Sequence, residues 1–400
     1  MIVGLITEYN PFHNGHVYHI LESKKITKSQ HVIAVMSGNF VQRGEPAIFN
    51  KYIRTRAALL NGVDIVIELP VFYACASADI FAFGAVDTLD KTGIVDSLCF
   101  GSEDADINRL YFAAKILSNE PYEFKNFIKN EMLKGISYPQ ARLNALSTLT
   151  GEDMSYLSSP NNILSVEYLK ALIKIKSHIK AYSIKRYLSE FHDTKIKGFI
   201  ASATAIRNSI KNKNIEEIKK CVPQNIYNAY LQNIKSTIPS IDDYSDILHY
   251  ILRTKSPKYI SQILDITEGI ENLIIKNSNI SAISELIKKI KTKRYTYTKL
   301  QRGILHIILD IKKQHIYSDI NIKPISYIRV LGFRKECSYL LSLLNKNARV
   351  PVIMNFKEAE KSFPPELKKQ LKAESIITDI YNIANDKKIG KEYTEPIVIV

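Results

Sequence analysis

Short apolar segments alternate with helical patterns through the first quarter of the chain. Four of these segments have the length of a strand and are rich in β-branched residues, which predicts buried strands of a parallel sheet at 2–7, 31–36, 63–70 and 95–100. Between them, apolar residues recur at three-and-four spacing and predict helices that begin near Asn14 and span 46–61 and 77–92. Strands and helices that alternate in this way are typical of a doubly wound parallel sheet.

The pattern becomes mostly helical after the fourth strand. Several helices are predicted over 104–176, the last of them capped by Asn161 or Asn162, whereas 179–187 alternates like a further strand. From Asn208 onward, Ile and Leu recur at helical spacing between lysine-rich faces.

These patterns divide the chain into two parts. The pattern over residues 1–207 predicts an α/β, Rossmann-like domain with a parallel sheet and a helical insertion at 104–176. The pattern over residues 208–400 predicts a mostly α-helical C-terminal region. The Gly-x-Gly-x-x-Gly signature and the lysine-containing phosphate loop are both missing from the sequence. A Rossmann-like domain without them must hold phosphates in another way.

The loop after the first strand carries the strongest candidate chemistry. Residues 10–16 join a buried strand to a helix N-terminus, where free backbone N–H groups and the helix dipole both favour an anion. His13 and His16 can face the same side of one turn, and two imidazoles can donate hydrogen bonds to a phosphate whose charge grows during a reaction. A metal site or a simple helix cap is the alternative role for this pair.

A second cluster further along the chain could also hold phosphate. Ser202 would cap the helix that follows it, which places Thr204 and Arg207 around the first turn of that helix. An arginine in a first turn opposes the helix dipole, and a bound anion would offset the mismatch. Lys185 and Arg186, at the end of the preceding strand, add further positive charge.

The composition limits the class of protein. A chain of 400 residues is long enough for two or three domains, and its 46% apolar and 24% charged residues are ordinary for a globular protein. No apolar run reaches membrane-spanning length, and the chain starts with a predicted strand rather than a signal segment. The four cysteines are scattered, which indicates neither a disulfide framework nor a metal site. We therefore predict a cytoplasmic protein.

Positive charge is concentrated in the second half. Residues 1–200 carry 22 Lys and Arg against 20 Asp and Glu, whereas residues 201–400 carry 33 against 20. This imbalance predicts a polyanionic partner, with nucleic acid the first candidate, although a coding bias toward lysine is the alternative. Two stretches, 291–302 and 325–334, interleave basic and aromatic side chains, which suits phosphate contact and base stacking. Their candidate RNA-binding residues are Lys293, Arg294, Arg302, Arg329 and Arg334.

Several longer segments resemble a known family. His-x-Gly-His at 13–16 and Ser-x-Thr-x-Ile-Arg at 202–207 resemble the nucleotidylyltransferase superfamily, Rossmann-like proteins that attack the α-phosphate of ATP. The chain is similar to the bacterial tRNA(Met) cytidine acetate ligase family nearly throughout, in segments 4–16, 36–46, 62–70, 160–164, 294–298 and 329–333. It departs from the expected pattern at Asn50, where an Asp is expected, and at Lys299, where an Arg is expected.

The resemblance implies two chemical steps. Acetate and ATP would give acetyl-adenylate and pyrophosphate, and the acetyl group would then pass to N4 of the wobble cytidine of elongator tRNA(Met), forming N4-acetylcytidine. His13 and His16 would be catalytic, and magnesium could accompany the phosphates, although no Asp/Glu cluster in the sequence requires it. The implied ATP-binding residues are Thr7, Glu8, Tyr9, Asn10, Pro11, Phe12, His13, Asn14, Gly15, His16, Val17, Tyr18, His19, Ile20, Gly101, Asn161, Asn162, Lys185, Arg186, Ser202, Thr204 and Arg207.

Two other functions are compatible with some of these features. A nucleotidylyltransferase that adenylylates a small phosphorylated metabolite would share both phosphate motifs but would not need a basic helical half. A non-enzymatic RNA-binding protein would need the basic half but not the two histidines and Arg207. The basic region 208–400 argues against the first alternative, and the intact phosphate motifs argue against the second.

Overall fold

The computed structural model describes residues 1–186, 196, 198–234, 238–267, 269–292, 295–385 and 387–400. The strands in this part of the chain are β1 (Ile2–Thr7), β2 (His31–Ser37), β3 (Phe40–Val41), β4 (Glu45–Pro46), β5 (Ile65–Leu69), β6 (Ser97–Ser102), β7 (Lys180–Lys185), β8 (Tyr317–Ser318), β9 (Asn321–Ile322), β10 (Ile328–Phe333), β11 (Val352–Ile353) and β12 (Val398–Ile399). The α-helices are α1 (Asn14–Thr27), α2 (Lys51–Leu60), α3 (Val71–Ala74), α4 (Ala78–Lys91), α5 (Ile107–Ser118), α6 (Tyr122–Leu133), α7 (Tyr138–Thr150), α8 (Pro160–Lys174), α9 (Ala203–Lys211), α10 (Ile215–Ile218), α11 (Gln224–Ile234), α12 (Ser245–Thr254), α13 (Pro257–Ile260), α14 (Ile270–Lys276), α15 (Ile283–Ile290), α16 (Tyr297–Ile308), α17 (Lys313–Ile316), α18 (Tyr339–Asn347), α19 (Phe356–Ser362), α20 (Pro365–Ile383) and α21 (Lys391–Thr394). Among the described residues, three short 3₁₀ helices lie at Ser155–Ser158, Ile241–Tyr244 and Lys335–Cys337.

One large, mostly parallel sheet organises the molecule. Its strands run in the order β11-β10-β5-β2-β1-β6-β7, and β12 also pairs with β10. β1 pairs in parallel with β2 and β6, and β5 pairs in parallel with β2, as the alternating pattern predicts. The predicted fold class is therefore confirmed: a Rossmann-like α/β sheet is followed by a mostly helical C-terminal region.

The inner strands of this sheet are buried on both faces. On β2, Ile33 and Val35 pack into one apolar cluster, while Val32, Ala34 and Met36 pack into the other. Because both faces are covered, nearly every position of such a strand is apolar. The carboxyl ends of β1, β6 and β7 lie together at one edge of the sheet, which is where open α/β sheets bind their ligands.

The helix predicted over 46–61 begins later than expected. It starts at Lys51, because the Asn50 side chain accepts hydrogen bonds from the backbone N–H groups of Tyr52 and Ile53 at 3.0 Å each. Pro46 lies instead in the short strand β4. The departure at Asn50 therefore preserves a helix cap, a role in which Asn and Asp are nearly equivalent.

The C-terminal half also differs from its helical prediction. Residues 328–333 form β10, which runs antiparallel to β5 and pairs in parallel with β11 and β12. The sheet is thus completed by segments far along the chain. The strand predicted over 179–187 ends at Lys185, and Tyr187 lies outside the described residues. Within the described part of the chain, no helix combines the length and the apolar composition needed to cross a bilayer.

Candidate active site

A cavity of about 360 Å³ opens at the carboxyl ends of β1, β6 and β7. Its volume lies within the usual range for small-molecule and cofactor sites, about 300–1,000 Å³. Most residues that the resemblance assigns to ATP line it: Thr7, Glu8, Tyr9, Asn10, His13, Gly15, His16, Tyr18, His19, Gly101, Asn161, Lys185, Arg186, Ser202, Thr204 and Arg207. Six others are absent from the lining: Pro11, Phe12, Asn14, Val17, Ile20 and Asn162.

The two candidate histidines are held by a reciprocal cap at the start of α1. His13 is the N-cap residue, and its Nδ1 accepts a hydrogen bond from the Gly15 N–H at 3.1 Å. His16 reaches back, and its Nδ1 accepts from the His13 N–H at 3.2 Å. The two rings stack with their centroids 3.8 Å apart. Since each Nδ1 is an acceptor, each neutral ring carries its proton on Nε2 and can donate it to a ligand.

Both rings are kept neutral by their surroundings. Burial, reinforced by the positive charges of Arg186 and Arg207, lowers the pKa of His13 to about 3. Burial also lowers the pKa of His16 well below its usual value, with His13, His19 and Arg186 adding to the effect. The pair can therefore supply hydrogen-bond donors without net charge, and the arginines supply the positive potential.

Gly15 has a steric reason to be glycine. A Cβ at this position would lie 2.9 Å from Cε1 of the His13 ring and 3.0 Å from its Nδ1. The imidazole thus covers the backbone of residue 15, and any larger side chain would displace it.

Residues that are absent from the lining support the loop from behind. The Asn14 side chain donates to the carbonyls of Phe199 and Lys220, at 2.9 Å each. The Tyr230 hydroxyl donates to the Phe12 carbonyl at 3.2 Å. Asn14 and Phe12 thus fix the loop to the segment that follows β7, rather than facing the cavity.

Another part of the cavity lining is cationic. Ser202 caps α9 by accepting from the Ala205 N–H at 3.0 Å, as predicted. Arg207, in the same helix, donates to the Asn10 carbonyl at 2.8 Å and to the Thr204 hydroxyl at 3.2 Å. The cap of α9 and the histidine loop are therefore joined through one guanidinium.

Arg186 is positioned by the residues predicted to cap α8. It donates to Asn161 Oδ1 at 3.1 Å, and Asn161 Nδ2 in turn donates to Glu103 at 2.6 Å. Asn162 accepts from the Glu103 N–H at 3.0 Å. The predicted capping role is wrong, because residue 159 is the N-cap and both asparagines bind the loop after β6.

A buried arginine that was not singled out from the sequence organises two loops of the site. Arg54 is fully buried and donates to the Glu8 carbonyl at 2.7 Å, to the Ser37 carbonyl at 3.0 Å and to the Gly38 carbonyl. It thereby ties the end of β1 to the end of β2. The available signal was its place on the apolar face of α2, three residues after the equally buried Lys51.

Three of the candidate RNA-binding residues, Arg302, Arg329 and Arg334, lie in the described part of the chain, and each pairs with an acidic side chain. Lys293 and Arg294 lie outside the described residues. Arg302 pairs with Asp265 at 2.9 Å, and Arg334, about one-third exposed, pairs with an aspartate and a glutamate. Arg329 is 6% exposed and cannot meet RNA, so its expected role needs correction.

Arg329 belongs to a buried charge network instead. It pairs with Glu68 at 2.9 Å and with Glu392, and Lys51 pairs with the same two carboxylates. Although burial opposes it, Arg329 and Lys51 together lower the pKa of Glu392. The network joins α2, β5, β10 and α21 in the core.

The described residues include one group with metal-ligand geometry, and it lies outside the cavity lining. His31, Asp64 and Cys337 have their ligand atoms within 4.8 Å of one another. Arg334 lies 3.5 Å from the Asp64 carboxylate and competes with any cation there. In the cavity itself, the carboxylates in the lining are Glu8 and Glu45.

The chain is similar to known proteins along nearly its whole length. The HIGH Nucleotidyl Transferase family matches residues 1–395. The tRNA(Met) cytidine acetate ligase of Acetivibrio thermocellus is 39% identical over 413 residues, covering 100% of both proteins. The one from Thermosipho melanesiensis is 38% identical and covers 99% of this chain and 98% of that protein.

Two solved structures share the fold. The crystal structure of apo Thermotoga maritima TmcAL matches with a TM-score of 0.93 at 33% identity, covering 100% of this chain and 99% of that chain. The same protein bound with alpha-thio ATP matches with a TM-score of 0.90 at 32% identity and the same coverage.

Proposed function

The chain belongs to the HIGH nucleotidyl transferase family, and we propose that, like its tRNA(Met) cytidine acetate ligase relatives, it is an ATP-dependent ligase that acetylates a tRNA cytidine. In the first step, a carboxylate oxygen of acetate attacks the α-phosphate of ATP and displaces pyrophosphate. In the second, the N4 amine of the wobble cytidine of elongator tRNA(Met) attacks the acetyl carbon, and AMP leaves. The product is N4-acetylcytidine.

One arrangement carries this proposal. Two neutral imidazoles present Nε2–H donors beside a helix N-terminus, in a cavity large enough for a nucleotide. His13 and His16 would donate to the α-phosphate as it becomes five-coordinate, where negative charge develops most. Because backbone N–H groups fix both rings in advance, little reorganisation accompanies the reaction.

The second phosphate motif would hold the leaving group. Ser202, Thr204 and the N-terminus of α9 face the cavity, and Arg207 adds a planar cation suited to pyrophosphate oxygens. Arg186 would meet the nucleotide from the β7 side. If magnesium accompanies ATP, the phosphates would hold it, with Glu8 and Glu45 the carboxylates within reach of the cavity.

The C-terminal half would bind the tRNA. Residues 201–400 carry the excess of positive charge, and Lys293, Arg294 and Arg334 stay candidates for phosphate contact. A tRNA substrate also implies a cytoplasmic location. The names of the relatives support this function over adenylylation of a small phosphorylated metabolite.

Pyrophosphate exchange into ATP tests the first step directly. We expect exchange to depend on added acetate and to proceed without tRNA, and a panel of longer carboxylic acids would define the acid specificity. Adding tRNA should then produce N4-acetylcytidine, detected by mass spectrometry of the digested RNA. Exchange that requires a phosphorylated metabolite instead of acetate would contradict the proposal.

A further inference from the structure

A second cavity, of about 200 Å³, adjoins the nucleotide cavity. Both cavities are lined by Glu45 and Arg207, so these two side chains form a shared wall. Side chains from the C-terminal half line much of the rest, among them Asp242, Ser284, Tyr297 and Gln301. The second cavity is thus where the basic helical half meets the catalytic site.

The shared wall is held by an ion pair. One Arg207 nitrogen lies 3.6 Å from a Glu45 carboxylate oxygen, and the other donates to the Asn10 carbonyl in the histidine loop. Both side chains are mostly covered, with 16% of Arg207 and 28% of Glu45 exposed. A group that enters the second cavity and reaches Glu45 therefore stands at the edge of the nucleotide site.

Helix α16 brings the other wall close to the catalytic loops. Gln301 donates to the Arg43 carbonyl at 3.0 Å, and a Cβ on Gly44 would lie 2.7 Å from Arg302 Cα. The helix backbone therefore rests directly on the loop between β3 and β4. Tyr297, in the first turn of α16, is half-buried, and burial together with the Asp242 and Glu45 carboxylates raises its pKa.

We propose that this second cavity receives the acceptor base of the RNA, a conclusion that rests on the proposed function. Its volume, about 200 Å³ against about 360 Å³ for the nucleotide cavity, suits a smaller group such as a single base. A base can react only after it leaves its stack, and an aromatic side chain replaces the lost stacking. Tyr297 supplies that ring.

The polar groups match cytosine. Its N4 amine is a donor, which suits the carboxylates of Glu45 and Asp242, and its N3 and O2 are acceptors, which suit the Lys211 ammonium. Asp242 is fixed by Ser284, which donates its N–H at 2.7 Å and its hydroxyl at 2.8 Å. Uracil would present its O4 acceptor to the same carboxylates and would be repelled.

The acetyl transfer balances with Glu45 as the proton acceptor. The N4 lone pair forms a bond to the acetyl carbon, and the bond from that carbon to the phosphate oxygen breaks. AMP leaves with the bonding electron pair, and the proton lost by N4 passes to the Glu45 carboxylate. Glu45 is thus assigned a catalytic role in the second step.

The test separates the two steps. Acetyl-adenylate is first formed on the enzyme, saturating tRNA is added, and the single-turnover rate of N4-acetylcytidine formation is divided by the rate of acetate-dependent pyrophosphate exchange. Tyr297→Ala should lower this ratio roughly tenfold or more, since base–aromatic stacking is worth one to two orders of magnitude. Tyr297→Phe keeps the aromatic ring and should therefore give a ratio close to that of the wild type.

Tyr317→Ala is the matched control, because it removes a half-buried tyrosine that is absent from the cavity lining and lies outside both basic–aromatic stretches. If Tyr297→Ala and Tyr317→Ala give the same ratio, the base does not enter this cavity. Glu45→Gln should slow transfer, with partial recovery at higher pH as hydroxide replaces the carboxylate, and a wild-type transfer rate would overturn its role. Absence of acetate-dependent exchange in the wild type would instead refute the proposed function itself.

Discussion

Replacing His16 tests whether the stacked imidazoles stabilise the reacting phosphate. His16→Asn should keep the cap, because a short amide oxygen can still accept from the His13 N–H, as Nδ1 does at 3.2 Å. The substitution removes the Nε2–H donor and the ring that stacks on His13, but it keeps the hydrogen bond that caps α1. We therefore expect a catalytic loss without a comparable loss of stability.

The expected magnitude follows from the loss of one preorganised donor. Such a loss typically lowers the rate by roughly two to three orders of magnitude, or about 2.7–4 kcal/mol of transition-state stabilisation. His16→Ala should lose the same donor and also leave the His13 N–H unpaired, which costs a further 0.5–2 kcal/mol or so of stability. Comparing the two variants separates catalysis from capping.

The assay is acetate-dependent pyrophosphate exchange, measured beside urea unfolding of the same preparations. His16→Asn should exchange slowly and unfold like the wild type, whereas His16→Ala should be both slow and less stable. A His16→Asn enzyme that exchanges at the wild-type rate would show that the α-phosphate does not bind against this imidazole.

Three further predictions concern pH, the core and the RNA. Burial with two nearby arginines lowers the pKa of His13 to about 3, so His13 stays neutral and the exchange rate should show no inflection near pH 6.5. In the unfolded chain His13 takes up a proton below about pH 6.5, whereas in the folded chain it does not. The free energy of unfolding should therefore fall as the pH drops below about 6.5. Glu392→Gln should destabilise the protein by roughly 3–5 kcal/mol in urea unfolding, because it leaves two buried cations sharing one carboxylate, whereas the exposed-surface change Glu358→Gln should have little effect. Lys293→Ala with Arg294→Ala should weaken tRNA binding and reduce its log–log salt slope by about 0.7–0.9 per lost phosphate contact, and an unchanged slope would place the RNA surface elsewhere.

The sequence was sufficient for the elements whose pattern is local. The strands at 2–7, 31–36 and 63–70 are mostly apolar because both sheet faces are covered, and Ser202 marks the start of its helix because its hydroxyl can cap the first turn. The histidine pair was recognisable for the same reason, since a strand, a short loop and a helix start are contiguous in the chain.

The features that the sequence did not predict depend on contacts between residues far apart in the chain. Residues 328–333 have an apolar pattern that suits a helix or a strand, and only pairing with β5 decides between them. Arg329 was assigned to RNA because it is basic and near aromatics, whereas Glu68 and Glu392, remote in sequence, bury it. Arg54 was missed as an organiser because its partners are backbone carbonyls, which leave no mark in the sequence.

The antiparallel pairing of β10 with β5 has a consequence for synthesis on the ribosome. β5 ends at residue 69, but its neighbour at the sheet edge is not complete until residue 333 has been made. During that interval the edge of β5 stays unpaired, and a nascent chain with a bare, apolar strand edge is prone to aggregation. A fragment limited to residues 1–207 would keep that edge permanently and would lack Arg329 and Glu392 opposite Lys51 and Glu68. The catalytic half should therefore fail to fold when expressed alone, although it contains both phosphate-binding motifs.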